Sequence, residues 1–289
     1  MRIGVTGATG ALGKRIVEAI ERNGSTVDPY SGDVRSSLEL DAWSKGLDAI
    51  VHCAAVVPTQ EVAGFLSDAI AINVAGTANV ARAAQAAGCR LAYISTSHVY
   101  RSSDTPVDEE ASISPISLYG LTKLQGEQWV RQFCPDALIL RVFSFFDGRQ
   151  AQSFLVPALI ARIRSAPMNA RLDLMGGQSR RDIADAIWLG TACARLIEDG
   201  ASGTINCAAG RRDSVLDIAM AVARALERSD IEWNVIQDRP ADYLLADTAR
   251  LHALAPDLPN FDLDVALAHA SATSDPRPAN ALNKRLANQ

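Results

Sequence analysis

The sequence has few aromatic residues and few cysteines. Aromatics make up 6% of the 289 residues, so the core has to be built mainly from aliphatic side chains. The five cysteines are an odd number, and no two of them have the spacing of a CxxC pair. This argues against a disulfide scaffold and against a zinc centre. We therefore expect reduced thiols packed as small apolar side chains, and no metal site.

Positive charge and long apolar runs are also lacking. Lys and Arg number 28 against 33 Asp and Glu, a formal net charge of −5. This balance disfavours binding to nucleic acid or to an anionic membrane through general charge. No run of ~18 apolar residues is present, and residues 1–6 lack the apolar core of a signal peptide. These absences predict a soluble, cytoplasmic protein with neither nucleic-acid nor membrane partners.

What the sequence does contain, over its first half, is an alternation of short apolar strands with helical patterns. The strand patterns lie at residues 2–6, 25–27, 48–55, 90–95 and 137–143, and the main helical patterns lie at 11–23, 70–87 and 119–133. Such alternation is typical of βαβ units with right-handed crossovers. We predict an α/β fold with a Rossmann-type, doubly wound parallel sheet.

A glycine-rich turn follows the first strand, in the segment Thr6-Gly-Ala-Thr-Gly-Ala-Leu-Gly13. Glycine lets the backbone turn sharply and lets a pyrophosphate approach without a clash at Cβ. The helix that follows offers unpaired N–H groups and the positive end of its dipole. On the first strand of a βαβ series, this pattern predicts a dinucleotide cofactor. The predicted contacts in this turn are Gly7, Thr9, Gly10, Ala11, Leu12 and Gly13.

The rhythm changes after about residue 145, where helical patterns at 154–165, 183–197 and 215–228 dominate. We predict a dinucleotide-binding domain over residues 1–147, with 203–209 returning to its sheet as one more strand. Residues 148–271 are predicted to form a smaller, mainly helical substrate-binding domain. The polar residues 272–289 are expected to be a loosely ordered tail.

Three side chains suggest acid–base chemistry. Tyr119 and Lys123 are four residues apart, which puts both on one helix face. A cation near a phenol of ordinary pKa ~10 stabilises the phenolate and lowers that pKa. Thr96 follows the strand of residues 91–95, and open parallel sheets keep their sites at the carboxyl ends of their strands. Ser95 and Ser97 are the alternatives to Thr96.

The G-x-x-G-x-x-G spacing, the segment Tyr93-Ile-Ser-Thr-Ser-His-Val-Tyr100 and the Tyr119–Lys123 pair resemble the extended short-chain dehydrogenase/reductases that act on sugar nucleotides. The resemblance runs from residue 1 to about residue 252. It implies Thr96 as the catalytic hydroxyl, Tyr119 as the acid/base, and Lys123 as the residue that binds the nicotinamide ribose and tunes Tyr119.

The resemblance also implies further contacts with the cofactor. Asp33 and Val34 match the pair that contacts adenine, and Asn73 matches a helix asparagine that supports the active-site backbone. The remaining implied cofactor contacts are Cys53, Ala54, Ala55 and Phe143.

The identity of the dinucleotide depends on the end of the second strand. Asp28 could accept a ribose 2′-hydroxyl there, and no arginine follows at once to hold a 2′-phosphate. This favours NAD. Ser31 and Arg35 keep NADP open.

Two arginines resemble those that bind the diphosphate of a nucleoside-diphosphate sugar. Arg181 lies in Gln178-Ser-Arg-Arg-Asp182, and Arg239 begins Arg239-Pro-Ala-Asp242. A guanidinium pairs with phosphate oxygens bidentately, although either arginine could also be a solvated surface residue. Ser144 replaces the asparagine of the epimerases and is a further predicted substrate contact.

The residues after Thr96 bear on the reaction. The family's 4,6-dehydratases carry Asp-Glu there, whereas this chain has Ser97-His98, which argues against dehydration. A 4-keto reduction or a 4-epimerisation remains, with His98 either a second acid/base or a loop residue without a chemical role. Reduction of a non-sugar ketone, or a non-catalytic dinucleotide-binding sensor, are the alternatives. The resemblance implies a homodimer formed through residues 70–87 and 119–133.

Overall fold

The computed structural model describes residues 1–57, 66–237 and 240–273. Its strands are β1 (Arg2–Thr6), β2 (Thr26–Tyr30), β3 (Ala49–His52), β4 (Arg90–Thr96), β5 (Leu138–Val142), β6 (Ser144–Phe146), β7 (Arg171–Met175), β8 (Arg180–Arg181), β9 (Ile183–Asp185), β10 (Gly203–Cys207), β11 (Asp213–Ser214), β12 (Glu232–Ile236) and β13 (Tyr243–Leu244). Its α-helices are α1 (Ala11–Arg22), α2 (Ser37–Trp43), α3 (Leu66–Ile70), α4 (Thr77–Ala87), α5 (Leu118–Phe133), α6 (Leu155–Ser165), α7 (Ala186–Glu198), α8 (Val215–Ala225), α9 (Ala249–Leu254) and α10 (Leu263–Thr273).

Six strands form the central sheet in the order β10-β5-β4-β3-β1-β2, and all its neighbouring strands are parallel. This confirms the predicted Rossmann-type α/β fold. The strand order reverses at β1, because β2 lies on one side of it and β3 on the other. A crevice opens at such a point beyond the carboxyl ends of the strands, so the topology directs the search for a site to this edge of the sheet.

Hydrophobic side chains cover both faces of the sheet. Val51 belongs to a cluster that includes α1 and α7, whereas the adjacent Ile50 belongs to a cluster that includes α4. Successive strand residues point to opposite faces, which explains this division. A Cβ on Gly190 would lie 2.6 Å from the backbone carbon of Arg15, so α7 packs directly against the helix that follows the glycine turn.

The helix predicted over residues 70–87 is interrupted. A π-helical segment, Ala71–Gly76, joins α3 to α4. Such segments insert one extra residue into a helix and are frequent at functional sites. Asn73, one of the predicted site residues, lies within it.

The region after residue 145 contains short strands that the sequence pattern does not reveal. Ile183–Asp185, which resembles the start of a helix, is strand β9 and pairs with β6. Helices α6, α8 and α10 share a third hydrophobic cluster in this region. Within residues 1–57, 66–237 and 240–273, no helix is both long and apolar enough to cross a membrane.

Candidate active site

The glycine turn brings three backbone segments close together. Gly7 has a φ of +67°, and a Cβ there would lie 2.6 Å from the amide nitrogen of Ala54. A Cβ on Gly13 would overlap the carbonyl oxygen of Gly7. Helix α1 begins after Gly10, and no side chain of the described residues caps its first turn. The free amide groups and the space kept clear by missing Cβ atoms fit a pyrophosphate.

The opposite wall of this crevice is the end of β3. The amide of Ala54 donates to Thr6 Oγ1 at 3.2 Å, which ties this wall to the residue before Gly7. Asn73 holds the next turn, because its Oδ1 accepts from Val56 N at 2.8 Å and its Nδ2 donates to Val56 O at 2.9 Å. Asn73 is fully buried, so it supports this wall through Val56 and does not face a ligand.

The structure corrects the expectation for Asp28. Strand β2 does not stop there but continues to Tyr30. The Asp28 carboxylate accepts from Arg2 Nη2 at 2.5 Å and from Trp43 Nε1 at 3.2 Å. Asp28 therefore lies inside the strand with partners of its own, and it does not supply the acceptor for a ribose hydroxyl at the strand end.

Asp33 and Arg35 form a local pair beyond β2. Asp33 accepts from the backbone amide of Arg35 at 2.8 Å and from its Nε at 2.8 Å. These hydrogen bonds from Arg35 hold the pKa of Asp33 below its ordinary value. The neighbouring Val34 is buried and would touch a Cβ on Gly76.

Thr96 ends β4 and is nearly buried. Its Oγ1 accepts from the backbone amide of His98 at 3.2 Å, which caps a short 3-10 turn, Ser97–Val99. Ser95, one alternative to Thr96, donates to Glu127 Oε1 at 2.6 Å inside the protein. Ser97, the other alternative, is 2% exposed.

Tyr119 lies in the first turn of helix α5. This helix packs closely against the 3-10 turn Ser97–Val99. Ser117 caps the helix by accepting from the amide of Gly120 at 3.0 Å. A Cβ on Gly120 would overlap the carbonyl oxygen of His98. The rings of His98 and Tyr119 meet edge to face with centroids 6.0 Å apart. Tyr119 is thereby brought beside the strand end that carries Thr96.

Lys123 is buried one helical turn further on. Its Nζ lies 4.1 Å from the centroid of the Tyr93 ring. Burial lowers the pKa of Lys123 to about 7, although the nearby Cys53 and Glu127 act in the opposite direction. Burial also raises the pKa of Tyr119 above its ordinary value. The direction is opposite to the lowered phenol pKa expected from the sequence.

A buried polar network, missed in the sequence, lies behind these groups. Glu127 Oε1 and Oε2 accept from Arg141 Nε and Nη2 at 3.0 and 2.9 Å. Arg141 Nη1 donates to the Tyr100 hydroxyl at 2.8 Å, and that hydroxyl donates to Asn206 Oδ1 at 2.7 Å. The network joins α5, β5 and β10 through residues far apart in sequence.

The predicted substrate residues have mixed outcomes. Nη2 of Arg181 is 2.9 Å from both carboxylate oxygens of Asp242, so its charge is already compensated. Burial and the charge of Arg181 lower the pKa of His98, whereas the charge of Asp242 acts in the opposite direction. Arg181 and Asp242 therefore lie near enough to the 97–99 turn to act on His98. Phe143 is buried, and Ser144 begins β6. Arg239 lies outside the described residues.

A separate cleft of about 570 Å³ opens in the C-terminal region. Its charged lining residues include Arg211, Asp213, Arg224 and Asp264, and none of the predicted site residues lines it. Arg211 pairs with Asp213 and Arg224 with Asp264. The chemistry of the side chains therefore points to the edge of the sheet and not to this cleft.

The fold, the glycine turn and the residues gathered at β4 and α5 define the class of the protein, a short-chain dehydrogenase/reductase of the extended type. Within that class, residues 1–243 match the family model described as the RmlD substrate binding domain. The chain belongs to this family. The resemblance inferred from the sequence is thereby confirmed.

One curated relative is named as a reductase and another as a subunit of a transferase. A dTDP-4-dehydrorhamnose reductase of Mycolicibacterium smegmatis is 30% identical over 159 residues, which are 53% of this chain and 49% of that protein. The chain thus spans about half the length of that reductase. Methionine adenosyltransferase 2 subunit beta of Mus musculus is 26% identical over 254 residues, 83% of this chain and 76% of that protein.

Solved structures share the fold over nearly the whole chain. The RMD protein of Pseudomonas aeruginosa, solved with NADPH, has a TM-score of 0.83 at 24% identity and covers 96% of this chain and 99% of its own. MoeE5, solved with UDP-glucuronic acid and NAD, has a TM-score of 0.80 at 22% identity and covers 93% of this chain and 97% of its own. At these identities the likeness establishes the fold alone.

Proposed function

We propose that the protein is an NAD(P)-dependent oxidoreductase that acts on a nucleoside-diphosphate sugar, by reduction of a 4-keto group or by epimerisation at C4. The observation that carries this proposal is the close packing of α5 on the 97–99 turn, which brings Tyr119 beside the strand end of Thr96. The glycine turn at the end of β1 lies at the same edge of the sheet. A hydride donor and a proton donor would meet there.

The residues of the chain have separate tasks in this proposal. The nicotinamide dinucleotide, when bound, supplies a hydride to the carbonyl carbon of the sugar. Tyr119 donates its phenolic proton to the carbonyl oxygen, so that the ketone becomes an alcohol. The Thr96 hydroxyl orients that oxygen by a hydrogen bond. Lys123 holds the ribose, and its positive charge then favours the phenolate that Tyr119 becomes.

The substrate class is supported by the relatives and by the arginines. The reductase named above acts on a dTDP sugar, and MoeE5 was solved with a UDP sugar. Arg181, with Arg239, would take the diphosphate, and Ser144 would lie beside the sugar. Because neighbours were solved with NAD and with NADPH, and because Asp28 is occupied elsewhere, we propose that either dinucleotide is accepted.

The proposal is tested with NADH and NADPH on a panel of 4-keto and 4-hydroxy sugars carrying UDP, dTDP or GDP. We expect oxidation of the reduced dinucleotide with at least one keto sugar, or interconversion of a 4-hydroxy pair with catalytic dinucleotide. The matched control is Tyr119→Phe, which should bind the dinucleotide normally and not turn over. Turnover by Tyr119→Phe at the wild-type rate would contradict the assigned role.

A second candidate is a non-catalytic dinucleotide-binding subunit. It is favoured by one observation, the match over 83% of this chain to proteins named as a subunit of methionine adenosyltransferase 2. Dinucleotide binding without turnover on the whole panel would support it. The presence of Thr96, Tyr119 and Lys123 together leads us to prefer the enzyme.

We also propose a homodimer formed through α3, α4 and α5. Four apolar side chains on α3 and α5 are between 41% and 46% exposed: Leu66, Ile70, Leu121 and Trp129. A second copy would cover them, because a cluster of exposed large apolar groups is typical of an interaction surface. Sedimentation of the wild type and of Trp129→Lys should give a dimer and a monomer, and a monomeric wild type would contradict the proposal.

A further inference from the structure

One fully buried histidine lies between the glycine turn and the π-helical segment. His52 Nδ1 is 2.6 Å from Thr6 Oγ1, and His52 Nε2 is 3.0 Å from Thr77 Oγ1. All three side chains are inaccessible to solvent. None of the roles assigned above uses this histidine, although His52 is the last residue of β3 and directly precedes Cys53.

The directions of these hydrogen bonds follow from the atoms at each end. Thr77 Oγ1 lies 2.7 Å from the carbonyl oxygen of Asn73, and a carbonyl cannot donate, so the Thr77 proton points to Asn73. Thr77 Oγ1 must then accept from His52 Nε2–H. Nδ1 of the neutral ring is left as an acceptor, and it takes the proton of Thr6. Thr6 Oγ1 in turn accepts from the amide of Ala54.

The His52 ring remains neutral at ordinary pH, so the protonated ring, in which both nitrogens would donate, does not disturb these hydrogen bonds. Burial, reinforced by the positive charge of Lys123, lowers the pKa of His52 to about 3. The ring is also held in its plane, because it stacks on Tyr93 with centroids 5.6 Å apart. One tautomer in one orientation therefore donates on one side and accepts on the other.

The chain of hydrogen bonds connects the walls of the crevice. At one end, Thr6 precedes Gly7 and receives the amide of Ala54. At the other end, Asn73 holds Val56 and donates to Thr122 Oγ1 at 3.1 Å, and Thr122 donates to the carbonyl of Tyr119 at 2.9 Å. The relay thus extends from the glycine turn to the helix that carries Tyr119.

We propose that His52 is a positioning residue for the dinucleotide. It accepts from Thr6, which precedes the glycine turn, and it donates to Thr77, which is bonded to Asn73 of the π-helical segment. His52 thereby sets the spacing between the glycine turn and the π-helical segment. This inference rests on the proposed function in one respect, that a dinucleotide binds in this crevice. It adds a residue that touches no ligand and acts through the backbone of both walls.

Two substitutions separate the two halves of the relay. His52→Asn keeps an acceptor near the position of Nδ1 and loses the donor to Thr77. His52→Gln keeps a donor near the position of Nε2 and loses the acceptor for Thr6. We expect each to raise the Kd for NADH and NADPH about five- to tenfold, the range set by losing one buried hydrogen bond. Thr77→Val should have the same effect.

The control is Thr191→Val. Thr191 Oγ1 donates to the carbonyl of Ile187 at 3.0 Å, the same four-residue link that Thr77 makes to Asn73, but in α7. Calorimetric titration at a temperature where circular dichroism shows every variant folded should give a Kd for Thr191→Val within about twofold of the wild type. If Thr77 merely stabilised the fold, Thr77→Val and Thr191→Val would have the same effect on the Kd.

A double-variant cycle completes the test. His52→Asn already lacks the link to Thr77, so adding Thr77→Val should raise the Kd by less than Thr77→Val does alone, because only the bond from Thr77 to Asn73 remains to be lost. Multiplication of the two effects, or single variants that bind as tightly as the wild type, would overturn the inference. A wild type that binds neither dinucleotide would instead overturn the proposed function. If the His52 variants fail to fold, Thr6→Val and Thr77→Val provide the same comparison.

Discussion

The carbonyl oxygen of His98 occupies the space where a side chain on Gly120 would begin. Helix α5 can approach the 97–99 turn only because residue 120 has no Cβ. This contact sets the distance between Tyr119 and the strand end of Thr96. The glycine after Tyr119 is therefore a requirement of packing, and its replacement has a predictable consequence.

Gly120→Ala should push the first turn of α5 away from His98. A displacement of about 1 Å at a reacting group costs roughly 10²-fold in rate. We expect kcat to fall by about that factor, with dinucleotide binding changed much less, because the glycine turn is untouched. Steady-state kinetics on the substrate found in the panel measure this. Gln125→Ala, an exposed change on the same helix, should leave kcat unchanged.

Lys123 makes the stability of the ligand-free protein depend on pH. Its pKa is lowered to about 7 in the folded state, whereas the unfolded chain keeps the ordinary value of ~10.4. Above pH 7 the unfolded state binds more protons, so the free energy of unfolding rises with pH. The rise should be about 1 kcal/mol per pH unit between pH 7 and 8.5. Urea unfolding of wild type and Lys123→Met at both pH values measures it.

The methionine variant should lack this rise. Cys53 has a pKa raised by burial to about 12, so it acts in the opposite direction at higher pH. The comparison is therefore confined to pH values below the ordinary pKa of a thiol, ~8.5. Equal slopes in wild type and Lys123→Met would mean that the buried amine does not titrate in this range.

Local sequence patterns predicted the glycine turn and each strand of the central sheet, because these depend on residues that are near each other in the chain. The parallel pairing followed from the alternation of strands with helices, which is typical of βαβ units. The end of β2 was predicted wrongly for a physical reason. Pro29 lacks an N–H and normally interrupts a sheet, but β2 is an edge strand and needs no donor on its outer side. The strand therefore continues past Asp28, and the residue assigned to the ribose lies inside it.

Other features of the site have no local signature. Glu127 and Arg141 pair across two elements, and neither neighbouring sequence indicates the partner. The relay through His52 joins residues 6, 52, 73 and 77, which only the fold brings together. Asn73 was predicted to support the active-site backbone, but the π-helical segment that carries it has the apolar pattern of an ordinary helix.

The buried pair of Glu127 and Arg141 should be expensive to break. Glu127 is fully buried, and removing one partner of such a pair costs about 3–5 kcal/mol. We expect Glu127→Leu to destabilise by that amount, and Glu127→Leu with Arg141→Leu to destabilise less, because no buried charge is left unpaired. Arg131, the other partner of Glu127, is exposed. Urea unfolding at pH 7 compares them. A double variant less stable than Glu127→Leu would contradict this account.

The same pair contributes to acid sensitivity. Burial is the largest single effect on Glu127 and opposes its ionisation. The hydrogen bonds and charge of Arg141, together with Ser95 and the charge of Arg131, outweigh burial and lower the pKa of the carboxyl group. The stabilisation is therefore present above the ordinary glutamate pKa of ~4.3 and is lost as the pH falls through the lower folded value. Glu127→Gln should flatten the acid limb of the unfolding free energy, as urea unfolding between pH 3 and 6 would show.

A phosphate at Arg181 would have to compete with Asp242. Both carboxylate oxygens of Asp242 lie 2.9 Å from Arg181 Nη2, so a bound diphosphate has to displace an existing partner. Asp242→Asn removes the competing charge. We expect this variant to bind UDP or dTDP several-fold more tightly than the wild type, about the effect of one partly exposed ion pair. Arg181→Ala should bind more weakly than either.

Asp213→Asn, which releases Arg211 in the separate cleft, is the matched control and should leave the Kd unchanged. An Asp242→Asn variant with unchanged or weaker nucleotide binding would show that Asp242 does not compete for Arg181.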